Sequence, residues 1–234
     1  MAFVKAAASI FAAPPPAAAT DMRANLASPD ATTRRQAARD LAGDATAAAA
    51  LAARLDIEPE PSVREALFGS LVDIGGAEAA GLVGGSLRSR DAGLRNHALE
   101  ALKQMGEPAF PVVDALLCDA DPDVRLLAIE VTRAWSSAQA APRLRRIIEA
   151  DPHINVCGAA VDVATELGTE DLLAPLQALR ARFADEAFLL FAVDVACGRL
   201  RPADAQAAVG QNTSVPTCYG RAGPAGADNS AEPA

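Results

Sequence analysis

Four stretches of this chain place an acidic residue four positions ahead of an arginine: Asp30 and Arg34, Glu60 and Arg64, Asp91 and Arg95, Asp121 and Arg125. A guanidinium offers a planar fork of donors that matches a carboxylate or phosphate. A ladder of arginines 30, 31 and 30 residues apart therefore invites an anion-binding reading. Other chemistry is thin. His97 and Glu100 stand three apart, where a helix can present two metal ligands, but the chain has only two histidines, His97 and His153. Cys118, Cys157, Cys197 and Cys218 form no C-x-x-C pair, so neither a zinc site nor a redox motif is indicated. The first three read as small buried hydrophobes and Cys218 as an exposed thiol. No G-x-S-x-G elbow occurs, and Gly84-Gly85 interrupts a helix with no adjoining strand to make a phosphate cradle. The expectation is no catalytic residue, no metal and no cofactor.

The elements around the arginines explain them differently. With each arginine as position zero, small or apolar residues fall at +3 (Ala37, Leu67, Ala98, Ala128), +4 (Ala38, Phe68, Leu99, Ile129) and +7 (Leu41, Leu71, Leu102, Thr132). Ile74, Met105 and Trp135 follow at +10, completing one face of a helix. Gly75 and Gly106 read as stops, and Pro29, Pro61, Pro122 and Pro152 as first-turn residues, the last two behind an N-cap aspartate. Position zero shares the packed face, so its arginine must be paired with a carboxylate. The ladder reads as structural.

Two further copies lack the arginine: Val156 and Cys157 stand for Val-Arg in one, and the other runs through Leu190, Phe191, Cys197 and Gly198. Second apolar stretches lie between, at Leu51 and Leu55, Leu82 to Leu87, Val112 to Leu117, Leu144 to Ile148 and Leu172 to Leu179. Each unit of about 30 residues is then a helical hairpin that buries its apolar face only by stacking on neighbours. The fold expected is all-α, an α-solenoid of five to six repeats over residues 21–200. An Ala/Pro-rich segment, 1–20, precedes it, with Phe3, Ala7 and Phe11 on one side of a short helix. A disordered tail, 201–234, follows.

Composition bounds the function. The 234 residues carry a net charge of −9, which opposes binding to nucleic acid or an anionic membrane. Aromatics at 4% argue against a sandwich or barrel. No stretch approaches a membrane span, and the alanine-diluted N-terminus makes a poor export signal, so a cytoplasmic location is expected.

The D-P-D-V-R run at Asp121 to Arg125, with helices on both sides and a period near 30, resembles the HEAT-repeat family. It is most similar to the short repeats first associated with phycobilin lyases, over residues 21–198. The resemblance implies that the helices at 30–43, 61–74, 92–105, 122–135, 153–168 and 186–197 line the inner side. It also implies that the acid–arginine pairs bridge adjacent units. It admits a phycobilin-lyase-like, chromophore-handling alternative, though aromatic and histidine residues for a chromophore groove are scarce. HEAT-like di-iron hydroxylases rely on His-Glu dipeptides, which are absent here, and HEAT-like glycosylases need a cationic cleft.

The face opposite the packed one carries the candidate site. Positions +5 and +9 collect Asp73, Glu100, Glu130, Asp162 and Glu166, with Lys103 and Arg133 at the edge and a basic start at Arg35 and Arg39. Such a row suits a basic or mixed-charge protein segment. The expected function is a non-catalytic adaptor that binds a partner protein along this row. Trp135 is assigned to the core, and Leu126 and Leu127 lie just off the packed face.

Overall fold

The computed structural model describes residues 22–201, so the expectations for the segment 1–20, for Cys218 and for the tail beyond Arg201 lie outside it. Eleven α-helices lie wholly within the described residues, a further helical turn covers residues 22–25, and no strand occurs among them. The eleven are α1 (Ala31–Asp40), α2 (Ala48–Leu55), α3 (Pro61–Ile74), α4 (Gly76–Gly85), α5 (Ala92–Met105), α6 (Phe110–Leu116), α7 (Pro122–Thr132), α8 (Ser137–Ala150), α9 (Ile154–Leu167), α10 (Leu173–Arg182) and α11 (Ala187–Leu200). The odd-numbered helices form a first row in which each packs on the next. The even-numbered helices form a second row, where α2 packs on α4, α4 on α6 and α8 on α10. One continuous apolar core runs between the rows from Leu26 to Leu200. The chain is an α-solenoid.

Local chemistry explains where the helices begin and end. Asp30, Asp91 and Asp121 are N-caps whose carboxylates accept from Thr33, Gly93 and Asp123 N–H at 2.8, 2.7 and 2.9 Å. Pro61 and Pro122 open α3 and α7, but Pro29 and Pro152 stand before the caps Asp30 and His153. Asp151 is therefore not a cap, contrary to expectation. Gly75 and Gly106 end α3 and α5 at φ 65° and 62°, where a Cβ is strained. Gly84-Gly85 does not interrupt its helix: α4 runs through both. Cys118 is exposed rather than buried, with the Arg146 guanidinium 3.7 Å from its sulfur. Trp135 is buried and meets Phe110 at 4.4 Å between ring centroids.

The arginine ladder has two functions. Each guanidinium reaches back to the carbonyl six residues earlier: Arg34 to Ser28 at 2.9 Å, Arg64 to Glu58 at 2.5 Å, Arg95 to Ser89 at 2.8 Å and Arg125 to Asp119 at 2.9 Å. It thereby ties the turn before its own helix to that helix. In the fifth repeat Cys157 Sγ donates to Asp151 O at the same offset, 3.3 Å away. Arg182, at the end of α10, brings a guanidinium to that same carbonyl and to Ile148 O. Burial, the largest influence, pushes the Cys157 thiol up to about 11, so it stays a proton donor at neutral pH.

The second function is pairing across units, and the acids differ from those expected. Arg34 forms a bidentate bond with Glu58, both contacts at 2.8 Å, and Arg125 one with Asp151 at 2.7 and 3.0 Å. Only Arg64 pairs with the acid four before the next arginine, Asp91, at 2.7 Å. Asp30 and Asp121 serve their own helices, and Glu60 makes no capping bond through its side chain. Arg95 reaches no carboxylate among the described residues. Asp119, which could have answered it, pairs with Arg88 instead. Arg125→Ala leaves Asp151, 7% exposed, without its fork. It is expected to lower the melting temperature by on the order of 5 °C more than Arg95→Ala. Equal losses in thermal denaturation would assign the effect to the shared carbonyl bond alone.

Candidate docking groove on the first row

The outward face of α1, α3 and α5 forms a groove of about 430 Å³. Its lining includes Arg39 on α1, Glu65, Phe68, Gly69 and Asp73 on α3, and His97, Glu100 and Gln104 on α5. The helical register places them there: Arg39, Gly69 and Glu100 share position +5, and Asp73 and Gln104 share +9. Gly69 leaves open space where a side chain would stand. On the groove wall the His97 ring stacks on Phe68, with centroids 5.8 Å apart and planes 8° from parallel. Its Nδ1 donates to Gly93 O at 2.7 Å, so that nitrogen carries a proton.

The seven residues expected to bind a partner do not form one uniform acidic stripe. Lys103 pairs with Glu100 at 2.9 Å. Arg133 holds Glu130 through two bonds of 3.0 Å and also reaches Glu166 in the next repeat. The bonds it donates to Glu130 are the main reason the Arg133 guanidinium holds its proton still more tightly than usual. Asp73 and Asp162 are exposed and form no ion pair with a described residue, as do Arg35, half-buried, and exposed Arg39. The groove gathers Asp73 and Glu100, whereas Lys103, Glu130, Arg133, Asp162 and Glu166 lie outside its lining. Its electrostatic character is mixed: one arginine on α1 faces carboxylates on α3 and α5.

Glu65 and His97 belong to this lining and did not stand out in the sequence as partner contacts. The register carried the signal, since they fall at +1 and +2, beside the exposed meridian. Among the described residues no group of three or more His, Cys, Asp or Glu side chains is placed to hold a metal ion. None of these helices is long and apolar enough to cross a membrane.

The fold makes this chain a helical-repeat protein. No known family's sequence profile matches it, and no curated protein does. Among solved structures it is similar to a designed armadillo repeat protein in complex with the peptide (KR)4, at 16% identity and a TM-score of 0.41, covering 77% of this chain and 98% of that one. It is also similar to human deoxyhypusine hydroxylase, at 19% identity and a TM-score of 0.43, covering 80% and 85%. A third is the complex of CpcE and CpcF of phycocyanin lyase from Nostoc sp. PCC7120, at 16% identity and a TM-score of 0.33, covering 78% and 94%.

Proposed function

We propose that this protein is a non-catalytic docking module that holds a mixed-charge polypeptide segment along the outward face of its first-row helices. The observation that carries this reading is the groove across α1, α3 and α5, where Arg39 stands against Glu65, Asp73 and Glu100. Three successive repeats contribute to one continuous surface, as an extended segment requires. Partner cations over Glu65 and Asp73, with an acid near Arg39, would satisfy all three and set the direction of the bound chain. The tighter pairing within Glu130, Arg133 and Glu166 leaves that stretch less to offer a partner charge, so the first three repeats take the larger share.

Fluorescence anisotropy with labelled basic, mixed and acidic peptides of equal length tests this. The wild type is expected to prefer basic or mixed peptides. Glu65→Lys with Asp73→Lys, at unchanged helicity, should weaken that binding by roughly tenfold. Equal affinity of the two proteins, or preference for the acidic peptide, overturns the reading. A linear tetrapyrrole that binds with a colour shift and competes at the groove would move it to chromophore handling.

A further inference from the structure

Departures from the repeat converge at one place. Arg88 stands seven positions before Arg95, where the other arginine-bearing units hold Ala27, Ile57 and Cys118. Arg90 stands five before it, where they hold Pro29, Pro59 and Ala120. In the following unit Leu126 occupies +1, where the others of the first five carry Arg35, Glu65, Asn96 and Gly158. All of these line one pocket of about 490 Å³, together with Arg95 and Leu127. It lies between the turn that precedes α5 and the start of α7, and it shares no residue with the docking groove.

The donors of Arg95 decide what such a pocket takes. Arg34 and Arg125 divide theirs in the same way: Nη1 goes to the backbone carbonyl, while Nε and Nη2 fork onto Glu58 or Asp151. Arg95 is anchored likewise, with Nη1 on Ser89 O at 2.8 Å, but its Nε and Nη2 meet no carboxylate among the described residues. Neighbouring acids are engaged elsewhere. Arg88, the cation peculiar to this unit, draws Asp119, which also accepts from Asp121 N–H at 2.9 Å. Asp121 itself caps α7 by accepting from Asp123 N–H. Arg90 is exposed and forms no ion pair with a described residue.

We infer that this pocket binds a monocarboxylate with an apolar body, its two oxygens on the Arg95 fork and its apolar part against Leu126 and Leu127. A planar two-oxygen anion matches the guanidinium edge through two parallel bonds, as Glu58 and Asp151 show in the neighbouring units. Both leucines are half-buried, so an apolar chain laid on them removes more of their surface from water. Asp121 and Asp123 border the same pocket, so an anion of higher charge, such as phosphate, meets more repulsion than a single carboxylate does. The carboxylate can belong to a free organic acid or to a glutamate of a bound polypeptide, since the chemistry at Arg95 is the same.

NMR titration of the isotope-labelled full chain tests this, read at the Arg95 Nε–H and at the Leu126 backbone N–H. Hexanoate and a capped leucine–glutamate dipeptide are the probes, with acetate, hexanamide and inorganic phosphate for comparison. At least one probe is expected to shift both signals to saturation, with hexanamide and phosphate weaker by roughly tenfold. Arg95→Lys keeps the charge and loses the fork, and should weaken hexanoate binding by roughly fivefold at the Leu126 signal. Leu126→Ser, read at Arg95, should weaken hexanoate and leave acetate unchanged. Preference for the dipeptide assigns the carboxylate to a polypeptide, and preference for hexanoate to a free acid; either sustains the site. No saturable shift with either probe overturns the inference. So does phosphate or hexanamide binding as tightly as the probes, or binding undiminished in Arg95→Lys. Hexanoate affinity unchanged in Leu126→Ser overturns the apolar half of the site.

Discussion

Replacing Glu58 by alanine should unfold this protein more readily than any other single loss of charge, by about 3 kcal/mol, or roughly 10 °C in melting temperature. Glu58 is 1% exposed and sits in the turn between the first and second hairpins. Both its oxygens are engaged by Arg34, and it also accepts from Arg54 Nε at 2.8 Å and from Glu60 N–H at 3.0 Å. Without it, two guanidinium groups lose their common carboxylate, and Arg34 is itself only 5% exposed. Burial, the strongest influence, would raise the Glu58 carboxyl. The bonds from Arg34, from Glu60 N–H and from Arg54 together outweigh it and hold the group at about 2, against an ordinary value of 4.5.

The pH dependence follows. A carboxylate whose folded value is depressed contributes fully above 4.5 and loses that contribution as the pH falls toward 2. The difference corresponds to about 3 kcal/mol. Asp30, Asp44, Asp91 and Asp119 are also lowered, so acid weakens the wild type through several groups. Comparing wild type with Glu58→Gln isolates this one. The gap between their unfolding free energies should be widest above pH 4.5 and close toward pH 2. A gap that does not change with pH would show that the buried ion pair is not the source of acid sensitivity.

The second large effect concerns a residue with no side chain. A Cβ on Gly84 would lie 2.5 Å from Val112 Cγ1 and 3.5 Å from Leu116 Cδ1, where α4 crosses α6. Alanine is the better helix former by ~1 kcal/mol, so an open site would gain from the change. Val112 is β-branched and on a helix has essentially one rotamer, so its methyl cannot swing away. Gly84→Ala is therefore expected to destabilise by ~1–2 kcal/mol, and Gly84→Val by more. Gly81, on the same helix with nothing within 4 Å of its added Cβ, supplies the control. Gly81→Ala should be neutral or stabilising in urea denaturation, and Val112→Ala should relieve part of the Gly84→Ala loss. A stabilised Gly84→Ala would mean that the two helices do not approach this closely.

The stacked hairpins were legible because the information is periodic. Leu41, Leu71 and Leu102 at one offset, with Gly75 and Gly106 behind their helices, set face and length together. Glu58 was not legible, because it lies in a turn and its meaning depends on Arg34, 24 residues away. Asp151 reads as a cap on local grounds, but its carboxylate faces Arg125 across the repeat boundary. At the candidate site the exposed meridian was readable and the charge on it was not. Glu130 and Glu166 share Arg133 across a gap that a single helical wheel cannot show. Glu65 and His97 enter the groove only because three helices are laid side by side.

The carbonyl bonds behind each position zero also bear on how such an array can change over generations. In the first five units a side chain shares a proton there with a backbone oxygen, and in the fifth the proton comes in part from elsewhere. At Asp151 a thiol and a guanidinium borrowed from the following helix stand in for the local arginine. With the donor supplied by a neighbour, the architecture no longer requires an arginine at that position. Units of this kind will be undercounted wherever repeats are recognised by the arginine itself, and the undercount will fall on the units whose neighbours have taken over its task.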